Sequence, residues 1–139
     1  MPESYHKRTR SSPEADVLST PFHVTIHAEG GGAAAGRSTF RRSFEEVADG
    51  LAGLPRMFVE PDGAFLWVAS EEPGWQIDGV LYDGVGGLWY VELKGHCPQP
   101  RFDELLSALG WPQTSVRFHL VREAVTLSEH EFRCRVGWP

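Results

Sequence analysis

The stretch "WQIDGVLYDGVGGLWYVELKG", residues 75–95, reads as a β-hairpin, and its register decides the fold. Two runs rich in β-branched and aromatic residues flank a glycine-rich turn, the usual signature of such a unit. Ile77, Leu81, Trp89, Val91 and Leu93 form one apolar set by the period of two. Val80, Tyr82, Leu88 and Tyr90 form the other. Strands apolar on both faces are expected at the centre of a sheet covered on both sides. Asp78, Glu92 and Lys94 fall in the second set. An odd-length loop within Asp83–Gly87 puts Asp78 opposite Glu92, whereas a two- or four-residue loop sends the acids to opposite faces. The odd loop is the expectation.

Opposed carboxylates in a sheet repel, by up to about 1 kcal/mol when wet, and partial burial adds to the cost. Lys94, a raised carboxylate pKa or a divalent cation can offset it. Hard cations prefer oxygen ligands, often one or two carboxylates completed by water and phosphate oxygens. A neighbouring lysine can stabilise phosphate charge or orient water. Asp78, Glu92 and Lys94 are therefore the candidate catalytic residues for metal-assisted phosphodiester hydrolysis.

Working outward, "FHVTIHAE" alternates cleanly, with Phe22, Val24, Ile26 and Ala28 on one face and His23, Thr25 and His27 on the other. This is a half-buried strand. Four residues along a strand separate His23 from His27 by roughly 13 Å, too far to share a metal. "GGGAAAG" at 30–36 reads as a flexible loop, without the Lys-Ser/Thr of a phosphate-binding loop. Ser43 and Glu46 form a capping-box pattern ahead of an apolar stripe at Phe44, Val47, Ala48 and Leu51. "RMFVEPDGAFLWVAS" reads as strand, turn and strand. A second helix is expected from Phe102, a strand over 115–121, and a closing helix after the second capping pattern, "SEHE", at 128–131. The fold class is then α/β: a central mixed sheet flanked by helices. Residues 1–20 are expected as a flexible tail, and 21–139 as one domain.

Asp78 followed by Glu92-Leu93-Lys94 resembles the PD-(D/E)XK nuclease-like superfamily. The expected order over residues 43–121 (helix, three strands, helix, strand) is similar to that family's restriction-endonuclease-like αβββαβ core. The resemblance implies Mg²⁺ or Mn²⁺ held by Asp78 and Glu92, and hydrolysis of DNA or RNA. It also implies an assisting acid on the first helix, for which Glu46 or Glu45 is the candidate. Ile77 stands where the family has proline, and "FDELLSALG" carries Asp103 and Glu104 in place of a supporting Gln or Lys.

A net charge of −6 disfavours tight nucleic-acid binding, which draws on a basic face. Two other readings therefore stand beside the nuclease. One is a non-catalytic protein-binding module on the same fold, with Trp75 and Trp111 as exposed anchors. The other is an unrelated α+β domain in which Lys94 only pairs with a neighbouring acid. No apolar run reaches the roughly 20 residues of a membrane span, and the N-terminal stretch lacks the apolar run of a signal peptide. A cytoplasmic protein without a membrane partner is expected, with Cys97 and Cys134 as reduced thiols.

Overall fold

The computed structural model describes residues 17–29, 33–34, 37–72 and 74–138. Most of the expected tail, and all of the 30–36 loop except Ala33 and Ala34, lie outside these residues. Residues 18–20, expected in the tail, belong to the fold. Leu18 bridges Pro98, the Ser19 N–H donates to the Cys97 carbonyl, and the Thr20 N–H donates to that of Val136.

The strands are β1 (Phe22–Ala28), β2 (Ala33–Ala34), β3 (Arg37–Ser38), β4 (Met57–Val59), β5 (Ala64–Val68), β6 (Gln76–Gly84), β7 (Gly87–His96), β8 (Val116–Leu120) and β9 (Val125–Ser128). The helices are α1 (Phe44–Ala52), α2 (Gln99–Leu109) and α3 (Glu129–Arg135). β2 and β3 make a small separate ribbon. The others form a seven-stranded sheet in the order β4-β5-β6-β7-β1-β8-β9, with every pair antiparallel. The protein is thus α+β, and its sheet is antiparallel where a mixed one was expected.

Both capping boxes form as their sequences predict. Ser43 caps α1 with Glu46 bonding back to the Ser43 N–H, and Ser128 does the same for α3 with Glu131. α2 begins three residues earlier than expected, at Gln99, because Pro98 at its N-cap and Pro100 just inside suit the first turn. β9 arises from the continuation of "AVTLS".

The three helices among the described residues pack on one face of the sheet. Val47 and Leu51 of α1, Phe102, Leu105, Leu106 and Leu109 of α2, and Phe132 of α3 share one core with Val24, Ile26, Ile77, Leu81, Val91 and Leu93. Near α3 the core is aromatic: Phe118 and Phe132 stack at 4.4 Å, and Phe22, Phe102 and Trp138 close around them. Arg133 ties α3 to α2 through Gln99 at 2.9 Å and an ion pair with Asp103 at 2.8 Å, close in distance but not aligned as a hydrogen bond. The expected anchors Trp75 and Trp111 are both half-buried against this core. The Trp75 ring packs edge-on to Trp67, and the Trp111 indole N–H donates to Glu129. Cys97 is buried and Cys134 exposed, both as free thiols.

Among the described residues the opposite face carries no helix. Its residues on β6 and β7 are exposed or half-buried, so the hairpin is covered on one side rather than two. That correction follows from a register detail. The turn is only two residues, Val85 and Gly86, between Gly84 and Gly87. A two-residue turn alone would put the acids on opposite faces. A β-bulge at Trp89 cancels the slip: Asp83 faces Leu88, but Tyr82 faces Tyr90. The extra residue turns Leu88 into the core, where it is fully buried. The Trp89 indole lies over Gly84, where a Cβ would collide with it, and donates its N–H to the Val85 carbonyl at 2.9 Å.

Gly79 is the corresponding tight point on the core face, opposite Phe65. A Cβ there would collide with the edge of the Phe65 ring. Gly79→Ala is expected to destabilise the fold by about 1–3 kcal/mol, read as a lower urea midpoint at unchanged m-value.

Candidate functional site

The antiparallel register arranges the open face as three cross-strand rows. The first runs Tyr82, Tyr90, His27, Arg117, with the Tyr82–Tyr90 rings stacked at 4.5 Å and His27–Tyr90 at 5.3 Å. The second runs Val80, Glu92, Thr25, His119, Thr126. The third runs Asp78, Lys94, His23. Asp78, Glu92 and Lys94 therefore share a face, as their period of two predicts. Their pairing is offset by two residues: Asp78 faces Lys94, and Glu92 faces Val80. The expected opposition of the two carboxylates does not occur.

Glu92 sits between rows and reaches both ways. Its Oε2 lies 2.6 Å from His23 Nε2, and its Oε1 accepts from the Tyr82 hydroxyl at 3.0 Å. The hydrogen bond from His23 holds the Glu92 carboxyl below its ordinary value; the Tyr82 bond and the charges of His23 and Lys94 act the same way, and burial opposes them only in part. The same carboxylate pushes the Tyr82 phenol up, through its hydrogen bond and then its charge. A carboxylate only accepts, so Nε2 of His23 carries the proton of this bond. In the neutral ring Nδ1 is then the basic nitrogen.

His23 also lines a cleft of about 820 Å³ at the row-three end of the sheet. Asp78 and Lys94 line it too, as do Arg122 and Glu123 from the β8–β9 turn and Arg135 from α3. Three cations thus face two carboxylates around one imidazole. Asp78 accepts from Gln76 at 3.1 Å. Gly95, beside Lys94, has φ +142°, and a Cβ there would collide with the Gln76 carbonyl, so the wall next to Lys94 requires glycine.

The donors do not fit the expected Mg²⁺ set. Both Glu92 oxygens are engaged by His23 and Tyr82, and Asp78 is offset from Glu92 by a residue pair. Glu46 caps its own helix on the covered side of the sheet, away from Asp78 and Glu92, and Glu45 belongs to the same first turn. Among the described residues no three His, Cys, Asp or Glu side chains converge as a metal site.

His23 is the neighbour of Glu92 that sequence reasoning did not bring to the site. Its alternation put it on the polar face of β1, but its partner lies 69 residues away, and which strand flanks β1 is not written locally. His119 stands on the open face beside Thr126 at 3.3 Å. His96 stays at the strand end, opposite Gln76.

Compared with protein-family models, curated proteins and solved structures, the chain has no match in any of the three. No helix among the described residues is long and apolar enough to cross a membrane.

Because Glu92 is held below its ordinary value of 4.5, its pairing stabilises the fold fully above that value and is lost as the pH falls through the depressed one. Carboxyl ¹³C NMR titration of Glu92 is expected to give a midpoint below 4.5 in the wild type. In His23→Ala the midpoint moves back up. Equal midpoints in the two proteins would mean that His23 does not hold the carboxylate.

Proposed function

We propose that the cleft hydrolyses a phosphodiester, with His23 as general base and Glu92 as the group that orients it. The observation that carries this reading is the 2.6 Å contact from Glu92 to His23, whose imidazole lies on the wall of a cleft with three cations. A carboxylate-braced imidazole is the usual way to fix a tautomer and keep the second nitrogen basic. Water gives a proton to Nδ1 of His23 as its oxygen bonds to phosphorus. The ester P–O bond breaks, and the leaving oxygen takes that proton back from the imidazolium. Lys94, Arg122 and Arg135 stabilise the charge that builds on the phosphoryl oxygens. Tyr82 holds the far oxygen of Glu92, and Asp78 offsets Lys94.

The chemistry is that implied by the resemblance to PD-(D/E)XK nucleases, with a different proton carrier. It rests on the cleft and not on a restriction-endonuclease-like core. The net charge of −6 favours a short substrate over a long duplex, because Lys94, Arg122 and Arg135 make the cleft locally cationic on an acidic chain.

The wild type is expected to cleave bis-p-nitrophenyl phosphate and short oligonucleotides in the presence of EDTA. His23→Ala should reduce the rate by roughly 10²- to 10⁴-fold, and Glu92→Gln should reduce it too. Activity abolished by EDTA and restored by Mg²⁺ would replace this scheme with the metal-dependent one that the resemblance implies. A wild type that binds these compounds without turnover would favour the non-catalytic module.

A further inference from the structure

The open face holds a second depression, of about 400 Å³, lined by Thr25, His27, Tyr90, Arg117, His119 and Thr126. No carboxylate lines it. Arg117 meets Glu29 at 3.4 Å through Nε, in a pair with both side chains about half exposed. Such a pair is nearly neutral in energy, so an incoming anion can displace it. The guanidinium fork then suits an oxyanion, beside two hydroxyl–imidazole pairs, Thr25–His27 at 2.8 Å and Thr126–His119 at 3.3 Å. The stacked His27 and Tyr90 rings add an aromatic wall.

β1 joins this depression to the cleft. His23 lines the cleft, and Thr25 and His27, next on the same face, line the depression. From His23 to His27 is roughly 13 Å of extended strand. Two anion-suited hollows on one line, with an aromatic wall at the second, match the backbone and base of an extended nucleic-acid strand.

We infer that the depression is a second phosphate subsite of the ligand held in the cleft. The ligand is a single-stranded oligonucleotide laid along β1, with one phosphate among Lys94, Arg122 and Arg135 and a later one at Arg117. This rests on the reading of the cleft as a phosphodiester site. It differs from that reading in requiring length: a mononucleotide fills the cleft alone.

The test measures binding and turnover separately, for mono-, di-, tri- and tetranucleotides, by calorimetry or ¹⁵N NMR and by product analysis. Wild-type affinity is expected to step up by roughly tenfold once the strand reaches Arg117. Amide shifts at Arg117, His119 and Thr126 should appear with the longer strands only. Arg117→Gln and Arg117→Ala, both at an exposed position, should remove the step and bring longer strands down to mononucleotide affinity. Affinity independent of length, or a step that survives both Arg117 variants, overturns the subsite. A length step without any cleavage leaves the subsite standing and removes the hydrolytic reading.

Discussion

The whole open face depends on one extra residue in the central hairpin. With a two-residue turn at Val85-Gly86, strict pairing would have set β6 and β7 one residue out of phase. Trp89 takes up that residue as a bulge, held by its indole over Gly84 and by its bond to Val85. Every side chain beyond it then points as a period of two requires: Val91 and Leu93 to the helices, Glu92 and Lys94 to solvent. A slip of one residue would bury two charges and expose two aliphatic side chains. The apolar core therefore enforces the arrangement of the polar face.

A sheet covered on one side divides the work of its strands. The helical side carries the apolar burial and the aromatic packing around Phe132. The other side is free to hold polar groups that a two-sided core would penalise. There Glu92 can stay charged beside His23 and Tyr82, half-exposed, without the heavy desolvation of a buried acid. The cross-strand rows also give each group a rigid backbone on either side, which favours fixed geometry over loop-borne placement.

Much of this was legible in the chain because it is local. The capping boxes at Ser43 and Ser128, the stripe of α1, the alternation of β1 and the existence of the 76–96 hairpin depend on residues a few positions apart. The common face of Glu92 and Lys94, two residues apart on one strand, was legible for the same reason; that Asp78 joins them depends on the turn and its bulge. Three features were not. The glycine run "DGVGG" permits several turn lengths, so the two-residue turn and its compensating bulge could not be chosen from it. Val80, Tyr82 and Tyr90 looked like a second buried face, but tyrosines stacked on one another can stand half in water. The meeting of His23 with Glu92 needs β1 to enter between β7 and β8, a choice made by the packing of the whole chain.

That insertion of β1 has a consequence for how the molecule is made. β1 precedes the other strands of the seven-stranded sheet in sequence, yet both of its neighbours lie far down the chain. Until β7 and β8 exist, "FHVTIHA" has an apolar face and two unsatisfied edges with nothing to pair. The β4–β7 meander can assemble from neighbouring segments, but β1 joins only by long loop closure, which is the slow step for sheets rich in non-local pairing. The imidazole of the cleft depends on that closure: His23 meets Glu92 only when β1 has bridged the 69 residues of chain that separate them.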